Sequence, residues 1–311
     1  MNPAYSVIFL TTLIGAGQGL AVMLVGADLA GFADRGFLAR GGLVALVLNA
    51  GGLVASFFHL GRPERAWRTA TMWRSSWLSR EVIALPAFMA ALAAWTGAHA
   101  LGWAGTGMAA LGLAVVLLSV VLWVCTAMVY ASVRFLKEWA SAFTLVNYPL
   151  LGLASGAMLA TALAAWSPGE AQGLVPDFGW VALCATLAGW VSRGLSLVRN
   201  ARLKPVSTLQ TAIGIRHPVI RQRAMGFMGG SFNTREFFHG RTPGALRQVK
   251  TGFLFGAFVL PLALLFGGLA TGSPVTIALA FSVQYLGLLA ERWFFLAQAN
   301  HPQNLYYQAV S

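Results

Sequence analysis

Charge is what this sequence has least of. Only 10% of its 311 residues are Asp, Glu, Lys or Arg, against about 25% in ordinary soluble domains. That leaves too few charges to cover the surface of a soluble enzyme. Acids are the scarcer sign, nine against 21 Lys and Arg. Cysteine is nearly absent. Cys125 and Cys184 are the two present, and an iron–sulfur cluster takes four ligands, mostly Cys. Both lie inside apolar runs and read as small packing residues. No basic n-region precedes the first apolar run and no convincing cleavage site follows it. That run therefore reads as a retained span and not as a signal peptide.

What is present is apolar. Hydrophobic residues make up 58% of the chain and the mean hydropathy is +0.70. These values exclude disorder and point to an integral membrane protein. A bilayer-spanning helix needs about 20 mostly apolar residues. Apolar runs fall at about 5–28, 41–60, 81–101, 107–130, 144–166, 178–197, 251–270 and 274–295. The expected fold is an all-α integral membrane protein, one domain forming an eight-transmembrane-helix bundle. Trp67, Trp73, Trp77, Trp103, Trp139, Trp166 and Trp180 gather near run ends, as an interfacial aromatic belt does. Gly15 and Gly19 have the small-xxx-small spacing that lets helices approach closely.

The basic residues fall on one side. Seventeen lie in the connections after spans two, four and six, and only Arg35 and Arg40 lie in the others. The positive-inside rule then predicts a cytoplasmic membrane protein with both termini and the long basic loop in the cytoplasm. Most of the net charge of +12 is thereby explained by topology, and nucleic acid is not an expected partner. The loop at about 198–250 is too long for a simple connection and rich in Phe and Met near 224–240. It reads either as a segment lying on anionic lipid headgroups or as a platform for a partner subunit, with Phe227, Arg235 and Phe237 as anchors.

One polar group of residues stands out. Span two ends at His59, the connection carries Arg62, Glu64 and Arg65, and span three opens with Ser79, Arg80 and Glu81. Antiparallel spans bring His59, Arg65 and Glu81 to the same cytoplasmic end. Ionisable groups at membrane depth are costly and mark function. Simpler readings stand beside that one: an interfacial His, and an acid in a first helical turn capped by Ser79. The chemistry that fits is quinone oxidation or reduction. It needs an apolar slot, a hydrogen-bond partner for a carbonyl and a proton route. His donates or accepts protons near neutral pH, a carboxylate relays them, and Arg stabilises negative charge on the ring. Arg193, Glu291 and Arg292 sit near the same ends of spans six and eight. They pair with each other or line the same pocket, although adjacent residues such as Glu291 and Arg292 do not share a helix face. Asp28, at the outer end of span one, is expected to snorkel to the interface. Haem b fits poorly, because His59 and His99 lie at opposite membrane ends and a bis-His haem needs facing imidazoles. No haem, iron–sulfur cluster or metal site is expected in this chain.

The segment His-Leu-Gly-Arg-Pro-Glu-Arg-Ala-Trp-Arg (59–68), followed by Trp-Leu-Ser-Arg-Glu (77–81), resembles the anchor subunit of bacterial dimethyl sulfoxide reductase, the DmsC type of the NrfD-like group. The 224–240 segment resembles the subset of sulfite dehydrogenase type. The resemblance covers the whole hydropathy plan. It implies a subunit that holds a molybdopterin catalytic subunit and a four-cluster iron–sulfur subunit at the membrane. Such a subunit passes electrons between a quinone pool, ubiquinone or menaquinone, and the iron–sulfur chain. It also implies quinol binding at His59, Arg65 and Glu81; from their place in the sequence, Arg62, Arg193, Glu291 and Arg292 are candidates to surround them. The archetypal anchor lacks so large a basic loop after span six. Two other readings remain. A secondary transporter carries buried charge near the midplane, where these spans have almost none, and a purely structural tether would keep the partners without a quinone site.

Overall fold

In a computed structural model of the chain, residues 1–205, 207–223 and 236–306 are described. Every regular element among them is helical. Eight helices are long and apolar enough to cross a membrane. They are α1 (Tyr5–Leu29), α2 (Arg35–Phe57), α3 (Trp77–Ala100), α4 (Gly107–Ala131), α5 (Ala142–Trp166) and α6 (Val175–Ala201), then α8 (Pro243–Thr271) and α9 (Pro274–Ala297). A five-residue helix, α7 (Leu209–Ile213), lies between α6 and α8.

Local signals set several starts. Asp34, Ser76, Ser141 and Ser273 each accept a hydrogen bond from a backbone N–H of the first turn of α2, α3, α5 and α9, which satisfies a donor the helix itself leaves unpaired. Two boundaries differ from the hydropathy reading. Helix α3 opens at Trp77, capped by Ser76 and not by Ser79, so Glu81 is in the second turn. At 1.5 Å per residue, the four-residue extension carries Glu81 about 6 Å deeper into the bundle. Helix α8 opens at Pro243 behind a Thr242 cap, so the end of the long basic loop is helical. Apolar periodicity missed it because proline at the first helical position and a polar first turn belong to capping, not to hydropathy. A π turn at Phe255–Val259 interrupts α8. Pro261 has no N–H to offer the carbonyl of Ala257, and the ladder shifts register there.

The spans form two four-helix groups. Helix α1 packs on α2 and α4, which are linked through α3; α5 packs on α6 and α9, which are linked through α8. The groups join where α1 lies against α5, the two most buried spans. Gly15 and Gly19 of α1 face Gly152 and Gly156 of α5. A Cβ on Gly19 would run into the backbone of Gly152, and one on Gly156 into the backbone of Gly19 and Leu20. Between helices in lipid such contact is stabilising through dispersion, not through exclusion of water.

One end of the bundle gathers the basic connections. There the Met1 nitrogen donates to the carbonyls of Ala297 and Ala299, 3.1 and 2.8 Å away. Arg199 donates to the Lys137 carbonyl at 2.9 Å. At the other end Arg35 donates to the Gly102 carbonyl at 2.8 Å.

The seam makes a sharp prediction. Gly156→Val should destabilise the protein by about 1–3 kcal/mol or more, because backbone and not a flexible side chain occupies the space. Gly26→Ala, with open space around its Cβ, should be close to neutral. Thermal unfolding of both variants in detergent checks this; equal melting curves would refute the seam.

Candidate functional site

The expected site residues divide into two sets. His59 follows the last turn of α2 and is exposed. Partial burial of its ring still pushes the pKa below the ordinary imidazole value, so the ring is uncharged at neutral pH and free to accept a proton. Arg62 and Arg65 are exposed on the connection between α2 and α3. Arg65 lies 3.9 Å from Glu64, a solvated pair worth little. That connection contains a 3-10 helix, Pro63–Met72, with no buried residue. Its arginines lie over its tryptophans: Arg68 5.5 Å from the Trp67 ring and Arg74 5.4 Å from Trp73. Phe58 is 82% exposed and Trp67 67%. This is a basic, aromatic surface at the rim.

Glu81 belongs to the interior. It is half-buried, and its Oε1 accepts from the Thr126 hydroxyl of α4 at 2.6 Å. Its carboxyl lines a cavity of about 30 Å³ at the α1–α5 seam, together with Gln18, Trp123, Tyr148 and Arg292. Neither His59 nor Arg65 lines it. The convergence at one rim expected of His59, Arg65 and Glu81 is therefore split. All three lie at the same end of the bundle, but the longer α3 draws Glu81 inward toward Arg292.

Behind the cavity lies a buried ion cluster. The Glu291 carboxylate is fully buried and takes Arg193 Nε at 2.6 Å and Arg292 Nε at 2.5 Å. The two guanidiniums are 1% and 7% exposed. As neighbours on one helix, Glu291 and Arg292 are expected to diverge. Both point inward instead, because α9 is enclosed at this level by α1, α5 and α8, and long side chains can curl back to meet. Aromatic faces complete the enclosure. The Arg292 guanidinium lies 4.4 Å from the Tyr148 ring centre and 5.0 Å from Phe295, and that of Arg193 5.7 Å from Phe253. Such contacts are worth most when desolvated. The cluster holds one carboxylate for two guanidiniums, so an excess positive charge faces the cavity across from Glu81.

Sequence reasoning missed Thr126, Trp123 and Tyr148. Each sits within an apolar run, where one hydroxyl or indole leaves no trace in hydropathy. Gln18 reaches between helices, donating to the Ser119 carbonyl at 2.9 Å. Asp28 does not snorkel. Its Oδ2 lies 3.1 Å from both Trp95 Nε1 and His99 Nε2 at the outer end, with the His99 side chain 5% exposed. Of the proposed docking anchors, Phe227 and Arg235 lie outside the described residues. Phe237 stacks on His301 with ring centres 3.8 Å apart, and its carbonyl accepts from Asn304 at 3.2 Å. That ties the end of the long connection to the segment after α9. Among the described residues no group of three or more His, Cys, Asp or Glu is arranged to hold a metal ion.

Residues 1–215 match the family model described as DMSO reductase anchor subunit (DmsC). That range includes His59, Arg65, Glu81 and Arg193 and stops short of Glu291 and Arg292. Over an alignment of 329 residues the chain is 51% identical to a sulfite dehydrogenase subunit of Allochromatium vinosum, with the whole of both chains covered.

The ion cluster predicts a stability effect. Glu291→Gln leaves two guanidiniums buried without their carboxylate, a loss of about 3–5 kcal/mol. Arg65→Gln at the exposed pair should cost less than about 1 kcal/mol. Membrane abundance and melting temperature of the two variants measure the contrast, and a stable Glu291→Gln protein would show that the charges are solvated.

Proposed function

The chain belongs to the DMSO reductase anchor subunit (DmsC) family, and on that premise we propose that it is the quinone-reacting membrane anchor of a sulfite dehydrogenase or DMSO reductase type complex. In this reading it holds a molybdopterin catalytic subunit through a four-cluster iron–sulfur subunit. It passes electrons between the quinone pool, ubiquinone or menaquinone, and that iron–sulfur chain. The likeness to a sulfite dehydrogenase subunit over the full length favours sulfite as the substrate of the assembled complex. The distribution of basic residues favours a cytoplasmic face for the termini, the basic connections and the docked subunits.

One observation carries the quinone reading. A carboxyl and a guanidinium, Glu81 and Arg292, line a mostly apolar cavity inside the bundle, at the same end as the rim that bears His59. An imidazole and a guanidinium at that rim, His59 and Arg65, suit a ring with two carbonyl oxygens. The cavity itself does not admit the ring. A hollow of about 150 Å³ accepts benzene, whereas this one measures about 30 Å³, enough for one or two waters. His59 and Arg65 at the rim would therefore hold the quinone, which supplies two-electron, two-proton chemistry when bound. His59 exchanges a proton with a ring oxygen, and its uncharged state at neutral pH suits it to accept one. Arg65 offers a guanidinium to the other oxygen. Glu81, held by the Thr126 hydroxyl, supplies an acid–base group in the interior at the same end.

His59→Ala should leave the complex assembled, since the side chain packs little apolar area, and lower quinone-linked turnover by about 10²–10⁴. Isolated membranes are assayed with sulfite and two acceptors. A soluble dye takes electrons from the catalytic subunits directly, and a quinone analogue takes them only through this chain. Dye activity should persist while quinone activity falls. Wild-type quinone activity in the variant would overturn the site. Labelling of a cysteine placed at Lys204 should occur from the cytoplasmic side only; periplasmic labelling would reverse the orientation.

A further inference from the structure

A groove cuts the outer surface of the bundle between α5 and α6. It shares no residue with the Glu81 cavity. Its volume is about 440 Å³, within the roughly 300–1,000 Å³ usual for ligand clefts. Phe143 and Val146 of α5 form one wall, and Leu187, Val191, Ser192 and Leu195 of α6 form the other. Val146, Leu187, Val191 and Leu195 are exposed, so the groove opens toward lipid. Its walls are hydrocarbon except at Ser192. That residue is 8% exposed, and its hydroxyl has no hydrogen-bond partner among the described residues. A serine inside a helix can bond back to the carbonyl four residues earlier, as Ser155 does to Leu151. Ser192 does not, and an unpaired hydroxyl in the lining calls for an occupant that carries an oxygen.

The mouth of the groove is basic. Ser192, Leu195 and Arg199 follow the three- and four-residue steps of one helix face, so Arg199 continues the stripe that lines the groove. It stands one turn, about 6 Å, beyond Leu195. Its guanidinium donates to the carbonyls of Lys137 and Ala140, at 2.9 and 3.4 Å. That clamps the end of α6 to the α4–α5 connection just before Phe143, over the same mouth. Lys137 is exposed on that connection, and Arg202 is exposed one turn beyond Arg199. Carbonyls orient a guanidinium without neutralising it. Among the described residues Lys137, Arg199 and Arg202 make no ion pair. The acid of the connection, Glu138, is also within electrostatic reach of the Met1 ammonium, so the balance at the mouth stays positive.

We infer that this groove binds an anionic phospholipid, with an acyl chain between α5 and α6 and the phosphate at Lys137, Arg199 and Arg202. The order of the surfaces carries the assignment. Cations stand at the aqueous edge, a single buried hydroxyl lies below them, and hydrocarbon lines the rest. A phospholipid presents phosphate, ester oxygen and acyl chain in the same order. Basic pockets between transmembrane helices take anionic head groups in this way. A neutral lipid would leave the surplus charge unanswered, and a bare hydrocarbon tail would leave the Ser192 hydroxyl unpaired. The lipid wedges α5, α6 and the α4–α5 connection together, and by binding the folded chain it stabilises it through mass action. The inference is independent of the quinone site.

The test uses the full chain in detergent, with any subunits that copurify. The probes are phosphatidylglycerol and phosphatidylcholine with identical acyl chains. Native mass spectrometry counts the lipid that stays bound, and thermal unfolding reads the stabilisation. The wild type should retain phosphatidylglycerol at least about fivefold over phosphatidylcholine, and salt should weaken the preference. Lys137→Gln combined with Arg202→Gln, both at exposed positions, should bring the two lipids close to parity. Ala188→Trp, at an exposed position in the lining, should fill the groove and abolish both retention and the thermal shift. Ser192→Ala keeps the shape of the groove and should weaken phosphatidylglycerol about two- to tenfold, the worth of one hydrogen bond. Arg74→Gln, on the α2–α3 connection, should change neither readout. Equal retention of the two lipids by the wild type would overturn the proposal, as would a preference that survives Ala188→Trp. Displacement of phosphatidylglycerol by an equimolar quinone analogue would overturn it too and give the groove to a quinone.

Discussion

The close approach of α1 to α5 is the contact on which the rest of this bundle depends. Each four-helix group closes on itself, and α1 against α5 is the most extensive of the contacts that join them. The glycines there let two backbones touch, which is how helices gain affinity in a solvent as apolar as their own side chains. The same glycines make the cavity. Gly15 and Gly152 line it, and where they carry no side chain the space is left for Glu81, Tyr148 and Arg292 to face one another. A larger residue at the seam would separate the groups and fill the hollow in one step.

Electrostatics then follows from geometry. A guanidinium buried in an apolar bundle needs a partner, and Arg193 and Arg292 share Glu291. One carboxylate cannot neutralise two cations. The surplus is directed at the seam, where Arg292 and Glu81 line the same cavity. Glu81 forms no salt bridge with either arginine. The Glu81 carboxyl is held instead by the Thr126 hydroxyl.

The rim and the interior divide the work. The connection between α2 and α3 leaves its arginines and tryptophans exposed, as suits a surface that meets headgroups, a quinone ring or another subunit. The interior keeps polar groups few and enclosed. The outer end carries a separate polar pair, Asp28 with His99, buried against Trp95. An apolar layer lies between it and the Glu81 cavity, so the two clusters do not share a path.

By itself the sequence determined the class of this protein. Scarce charge, long apolar runs and basic residues confined to alternate connections dictate a multi-helix membrane bundle, because the bilayer tolerates little else. It also marked His59, Arg65, Glu81, Arg193, Glu291 and Arg292, since ionisable residues near apolar spans are costly enough to be conspicuous. It could not say which of them meet. Hydropathy sees no caps, so it began α3 four residues late and left Glu81 at the rim. Helical periodicity treats Glu291 and Arg292 as divergent, and only the enclosure of α9 by three neighbours turns both inward. Thr126, Trp123 and Tyr148 are silent in sequence because a single polar atom within an apolar run has no meaning until another helix places an acid or a water beside it. Those pairings belong to the tertiary structure, because each is made by residues far apart in the chain that meet where α1 closes on α5.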